Sequence, residues 1–386
     1  MRCVPIIECM SEVLRRLGNL PVERFMRDAW QRCPLLIRNA IEGFAPPVDR
    51  TRLLALARSD DAESRLIRQV DGRWQVEHGP LTKLPSPKRS GWTVLVQGVD
   101  LMDAAAHALL QRFRFVPDAR LDDLMISYAT DGGGVGPHVD SYDVFLLQAQ
   151  GRRRWRISRQ RDLRLVEGAP LQLLANFRPS AEYVLEPGDM LYLPPGVAHE
   201  GTAIGECITC SIGFRAPTYQ ELLEPFLSEY ASHAKLIGRY TDRGQAATRR
   251  PAALPVEMVS RLHASLAAKQ PTPADTTRFL LAYLTEPKAQ VVFERPYTPL
   301  SPSAFFTRAR RSGVELDRRT RMLYRSRLIG INGEVAAVDR QVSPVLRRLA
   351  DLRAVPPEAL NDATLDHLYP WYCAGWLHAT AVREAA

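Results

Sequence analysis

The sequence predicts an α+β chain in three parts: a barrel or sandwich of short strands, a small all-helical unit, and a C-terminal part built like a winged helix. Three observations carry this. Between about Gln75 and Phe214, apolar and polar residues alternate in short runs separated by turn residues. Around Ala216-Pro217 the period lengthens to that of a helix. Beyond the proline-rich stretch 294–303, a helix, a hairpin and a further helix follow one another. At 386 residues the chain exceeds the usual size of one domain, and we expect domains at 1–217, 218–290 and 291–386.

From Arg2 to about Phe44 the pattern is helical, with apolar residues three and four apart in "SEVLRRLGNLPVERFMRDAWQR" and Pro21 where a helix could start. "PLLIRNAI" after it reads as a strand. Strands are then expected at "TVLVQGV" (93–99), "DLMISYA" (123–129), "DVFLLQAQ" (143–150), "RWRIS" (154–158), "EYVLE" (182–186), "DMLYLP" (189–194) and "CITCSIGF" (207–214). Helices are expected in "YQELLEPFLSEYASHAKLI", "VEMVSRLHASLAAK" and "ADTTRFLLAYL". The last part holds a helix near "SAFFTRARR", a hairpin turning at Asn332-Gly333, and two helices, one starting at Ser343-Pro344.

Composition bounds the function. With 46% hydrophobic and 24% charged residues the chain is of ordinary globular type. "CVPII" is too short for a secretory or membrane segment and no later run sustains about 18 apolar residues, so a cytoplasmic location is expected. Six scattered cysteines do not make a disulfide framework and read as reduced. The net charge of +8 is carried mostly by arginine, with lysine only at 83, 88, 235, 269 and 288. Such a surface attracts polyanions; an arginine-favouring codon usage explains the bias equally well.

The stretch "GGGVGPHVD" (132–140) poses a choice between a phosphate loop and the approach to a metal site. Pro137 and His138 follow the glycines, no lysine is near, and the next segment is a strand, so the phosphate reading fails. On a strand His138 and Asp140 share a face. A second histidine, His199, follows in "EPGDMLYLPPGVAHEGTA", where Pro194-Pro195-Gly196 stiffens the bend that presents it. Two His and one carboxylate on barrel strands form the facial triad of non-haem Fe(II) oxygenases. Arg153, on the strand after the triad hairpin, shares a face with Trp155 and suits bidentate capture of a cosubstrate carboxylate; Arg152, Arg154 and Arg156 share the other face. Thr209 and Ser211 share a face of the last strand and offer hydroxyls to the same carboxylate. Cys207 and Cys210 lie three apart on a strand, hence on opposite faces, and read as structural. His78, His107, His233, His263, His367 and His378 lack ligand-spaced partners.

"DDLMISYATDGGGVGPHVDSYDVFLLQAQGRRRWRIS", with "LEPGDMLYLPPGVAHEG", "SIGFRAP" and the upstream "ESRLIRQVDGRWQVEHGP", closely resembles the bacterial JmjC-type ribosomal oxygenases, specifically those that hydroxylate an arginine of large-subunit ribosomal protein L-sixteen. The resemblance covers most of the chain from near Leu20, and what precedes reads as an extension. It implies a JmjC/cupin-type double-stranded β-helix barrel, a helical dimerisation unit and a winged helix. It also implies Fe(II), 2-oxoglutarate as cosubstrate and O2, with the iron ligands at His138, Asp140 and His199 and the distal 2-oxoglutarate carboxylate at Arg153. The implied reaction is that of a 2-oxoglutarate-dependent dioxygenase, a ribosomal protein arginine 3-hydroxylase acting at the β-carbon. The strand of Asp123 and Met125, with Tyr142, would hold the substrate arginine. Asp123 and Met125 share a face, giving a carboxylate for a guanidinium beside an apolar wall for its stem. A cytoplasmic homodimer without membrane contact follows, with nucleic-acid contact left open. Two alternatives stand: a JmjC hydroxylase of another ribosomal protein residue (His or Lys), or a catalytically silent cupin-like barrel whose winged helix binds nucleic acid.

Overall fold

A computed structural model describes residues 12–380. Among these, the expected N-terminal helix is confined to Val22–Asp28. A minimal hairpin, Arg16–Leu17 with Leu20–Pro21, precedes it because Gly18 turns with φ +55 against the carbonyl of Arg38. Cys3, Cys9 and the helical pattern expected over 2–11 lie outside the described residues. Phe25 of the short helix is fully buried against Tyr192 and Phe145, at 4.9 and 5.3 Å between ring centroids. The strand read in "PLLIRNAI" is Leu35–Ile37, paired with Met190–Tyr192.

The alternating region forms a ten-stranded antiparallel sheet folded on itself as the expected double-stranded β-helix. The broad side runs in the order Leu35–Ile37, Met190–Leu193, Val144–Ser158, Ala198–Phe214, Leu121–Ala129, Trp92–Val96, Ser64–Val70 and Arg73–His78. Two strands are much longer than expected. "DVFLLQAQ" and "RWRIS" are one strand, Val144–Ser158, and "CITCSIGF" is the second half of Ala198–Phe214. Their paired far halves carry Ala181–Leu185 and His138–Val139 as outer neighbours and make the narrow side. At the corner Gln148 pairs with Thr209 but Gln150 with Ile208, leaving Ala149 as the extra residue of a β-bulge. Gly151 follows with φ +65, and a Cβ there would lie 2.0 Å from the Glu206 carbonyl.

Strict alternation hides that the broad side is buried on both faces. Its back, with Leu124, Ile126, Tyr128, Phe145, Leu147 and Ile212, packs under Val22–Asp28 and under two helices absent from the sequence reading, Arg50–Leu56 and Ala104–Gln111. Its front lines the cavity described below. Asp143, fully buried, fixes the start of the long strand: it accepts from Tyr192 Oη (2.6 Å), Gln31 Nε2 (3.0 Å) and Arg120 Nη2 (3.0 Å).

The helices Tyr219–His233, Val256–Ala267 and Pro273–Thr285 follow, the first and third closed by capping boxes from Thr218/Glu221 and Thr272/Asp275. A separate core around Phe305, Leu346, Leu349, Leu365 and Leu368 organises the winged helix. It comprises the helices Pro302–Ser312, Ser343–Leu352 and Asp362–Cys373 and a meander Met322–Arg325, Leu328–Ile331, Glu334–Ala337. Asn332 and Gly333 both have positive φ, as a tight hairpin turn requires. The C-terminal part docks on the barrel: Arg321 donates to the Asp122 carbonyl (2.7 Å), Arg215 to that of Leu284 (3.0 Å), and Arg114 to those of Ala350 and Asp351. No helix among the described residues is long and apolar enough to cross a membrane.

Candidate metal centre and its cavity

The glycine stretch is a close-packed lead-in to a strand. A Cβ on Gly134 would sit 2.3 Å from the Gly201 carbonyl, and one on Gly133 2.4 Å from that of Trp92. The loop delivers His138 into a two-residue strand whose Cα partner is His199 itself. Asp140 lies just past the end of that strand, and is brought in by the Pro194-Pro195-Gly196 bend, where the Gly196 amide donates to the Asp140 carbonyl (2.9 Å). His138, Asp140 and His199 each offer a ligand atom within 4.8 Å of the others.

The ring nitrogens are sorted by the backbone. His138 Nδ1 meets the Gly136 carbonyl and His199 Nδ1 that of Val197, both at 2.9 Å. A carbonyl only accepts, so each Nδ1 carries the proton and each Nε2 presents its lone pair. Both Nε2 atoms face Asp140, at 3.9 Å from His138 and 3.6 Å from His199. Burial, with His138 nearby, pushes the His199 imidazole down to about 3 and keeps it neutral. Burial raises the Asp140 carboxyl, opposed by His138. Two imidazoles and a poorly solvated carboxylate are a donor set that a divalent cation satisfies.

The triad opens on a cavity of about 440 Å³. Arg153 lies in its wall, 5% exposed. Its Nη1 donates to Ser127 Oγ (3.2 Å), its guanidinium sits 5.6 Å from the Trp155 ring, and its Nε is buried with no partner. Among the described residues no carboxylate pairs with it. Arg152 and Arg154 are exposed, as alternation requires. Ser211 lines the cavity, but Thr209 does not: fully buried, it donates to Gln148 Oε1 at 3.1 Å. Asp123, Met125 and Tyr142 line the cavity too, Asp123 buried and Tyr142 at the exposed rim. Cys207 and Cys210 are free and buried, and burial pushes the Cys210 thiol up to about 12. Leu171 to Leu173, from the loop after the long strand, close one side, tied down by the Leu174 amide on the Pro137 carbonyl (2.9 Å).

Several polar residues in or beside the cavity, among them Ser127, Gln97 and Lys288, are not singled out by the sequence. Ser127 was within reach, since it continues the Asp123, Met125 alternation. Gln97, which donates to Asp123 Oδ2 (2.7 Å), and Lys288, from beyond the helical unit, carry no local motif.

Known proteins resemble this chain in sequence and fold. The JmjC domain family matches residues 108–222 and the ROXA-like winged helix residues 263–378. The ribosomal protein uL16 3-hydroxylase of Escherichia coli (strain K12) is 34% identical over 351 residues, covering 89% of this chain and 92% of that protein. A probable ribosomal oxygenase of Haemophilus influenzae is 37% identical over 216 residues, 53% of this chain and 52% of that one. The solved structure of YcfD, a ribosomal oxygenase from Escherichia coli, in complex with cobalt and 2-oxoglutarate is similar with a TM-score of 0.81 at 30% identity, over 94% of this chain and 99% of that chain. Motif, fold and site thus converge, and the chain belongs to the JmjC-type ribosomal oxygenases.

Proposed function

We propose that this chain is an Fe(II)- and 2-oxoglutarate-dependent dioxygenase that hydroxylates the β-carbon of an arginine in ribosomal protein L-sixteen (uL16). One observation carries the reading: two imidazole Nε2 atoms and a carboxylate converge beside a buried guanidinium that lacks a carboxylate partner. His138, Asp140 and His199 would hold the iron, and the orphaned Nε of Arg153 fits a cosubstrate whose far end is a carboxylate. When bound, iron with 2-oxoglutarate and O2 supplies the oxidation of an unactivated C–H bond, chemistry that side chains lack.

The chain itself orients and excludes. Arg153, held by Ser127 and flanked by Trp155, fixes the distal carboxylate, with Ser211 on the same wall. Asp123 takes three contacts on Oδ2, from Gln97, the Gly98 amide and Lys288, and leaves Oδ1 for a substrate guanidinium. Met125 lies against the stem and Tyr142 at the entrance. The relative's name specifies a 3-hydroxylase, and position 3 of an amino acid is its β-carbon. Asp123 favours a cationic side chain over histidine.

The working division of the molecule is a JmjC barrel over 1–217, a helical unit over 218–290 and a winged helix over 291–386. The helices Tyr219–His233 and Val256–Ala267 bury no residue and expose Leu223, Leu227, Val256, Val259, Leu262 and Leu266, which supports a homodimer through this unit.

The test is tandem mass spectrometry of L-sixteen peptides incubated with protein, Fe(II), 2-oxoglutarate and air, beside a His138→Ala control. One oxygen on an arginine β-carbon, absent with the control, is expected. Consumption of 2-oxoglutarate without peptide modification would overturn the substrate; no consumption by iron-loaded protein would overturn the oxygenase.

A further inference from the structure

Lys288 follows the last helix of the helical unit, outside the barrel, yet its Nζ lies 3.2 Å from Asp122 and 3.4 Å from Asp123. The two carboxylates differ in what else they have. Asp122 is also met by Arg215 (3.2 Å) and Arg321 (3.6 Å), so its charge is balanced without the lysine. Asp123 is 3% exposed and, among the described residues, pairs with no cation but Lys288. Of the other ionisable groups around it, Asp122 adjoins it, Asp100 is buried close by and Tyr142 stands across the cavity, all three anionic when charged, while the cation Arg65 lines the same cavity without forming an ion pair to it. A buried carboxylate among carboxylates takes up a proton unless a counter-charge is supplied, and a neutral Asp123 does not attract a cation.

The geometry also divides the two oxygens. Lys288, Gln97 and the Gly98 amide all lie on Oδ2. Oδ1 accepts no hydrogen bond from the described residues and looks past Gly213, where a Cβ would stand 3.6 Å from it in the cavity lining. We propose that Lys288 is a positioning residue of the substrate pocket: it supplies the buried counter-charge of Asp123 and pins Oδ2, leaving Oδ1 turned toward the incoming cationic side chain. The arginine-binding wall is then completed by a residue that the barrel does not contain, and substrate binding depends on how the C-terminal half docks. This inference rests on the reading of Asp123 as the acceptor of the substrate guanidinium.

The test measures binding to the full chain loaded with Fe(II) and 2-oxoglutarate without O2, using the L-sixteen peptide that mass spectrometry identifies. Lys288→Met is expected to raise the peptide Kd about tenfold or more. The 2-oxoglutarate Kd stays unchanged, because Arg153 is not touched. The pH at which peptide binding is lost on the acid side moves upward, since Asp123 now protonates more readily. Lys288→Arg restores most of the affinity. If Lys288→Met weakens peptide and 2-oxoglutarate equally, or neither, Lys288 is not a positioning residue. Asp123→Asn separates the two ideas: no effect on peptide Kd would bring down the reading of Asp123 and Lys288 with it, whereas a loss there without a loss in Lys288→Met would overturn Lys288 alone.

Discussion

Replacing Arg153 with Met keeps a long chain against Trp155 and Ser127 but removes the buried cation from the cavity wall. Affinity for 2-oxoglutarate should fall by about a hundredfold, the scale of a lost buried charge pair, while Co(II) still binds the triad; calorimetry and the cobalt absorption spectrum read the two separately. Asp123→Ala should raise KM for the peptide far more than KM for 2-oxoglutarate, and an equal rise in both would remove it from the substrate wall. These residues were legible because their types and spacing carry chemistry: a histidine and a carboxylate two apart, a histidine behind a stiff bend, an arginine whose strand parity places it with a tryptophan. Thr209 has the face that parity assigns it, but parity does not reveal its neighbour: its hydroxyl donates to Gln148, 61 residues away. Lys288 was invisible because its partners lie far earlier in the chain and it sits in no periodic segment.

At the scale of elements, the strands were found but not their continuity. "AQGRRR" reads as a break because Gly151 and a run of arginines resemble a turn, whereas the chain passes through a bulge and continues. Gly151→Ala should lower stability by about 2 kcal/mol or more, from a strained positive φ and a clash with the Glu206 carbonyl; thermal unfolding checks it. Among the described residues the N-terminal apolar spacing serves the tertiary contacts of Leu17 and Phe25, and only Val22–Asp28 is helical. In the winged helix the edge strand Leu377–Ala379 is tied by His378 to Asp317 at 3.1 Å. That hydrogen bond raises the imidazole above its ordinary value. The stabilisation is therefore complete below the unfolded value of about 6.5 and fades as pH rises through the higher folded value. His378→Gln should lower the melting temperature near pH 6 and have little effect near pH 8.

For the whole molecule, the order of strand barrel, helical unit and winged helix was readable because the apolar period lengthens at Ala216-Pro217 and the proline-rich stretch 294–303 marks the second junction. How the parts dock was not, since Arg114, Arg215 and Arg321 make the contacts with backbone carbonyls that have no sequence signature. Val256, Val259, Leu262 and Leu266 are each between 50% and 73% exposed on one helix. Light scattering should give twice the chain mass, and Leu262→Glu should give the monomer. The bulged corner at Ala149 and Gly151 has a further consequence. Cavity-facing residues are even-numbered before it, Val144 and Leu146, and odd-numbered after it, Arg153 and Trp155. Removing one residue there would turn the guanidinium out to solvent without altering any side chain of the site. At the corner, therefore, even a single codon gained or lost abolishes cosubstrate capture.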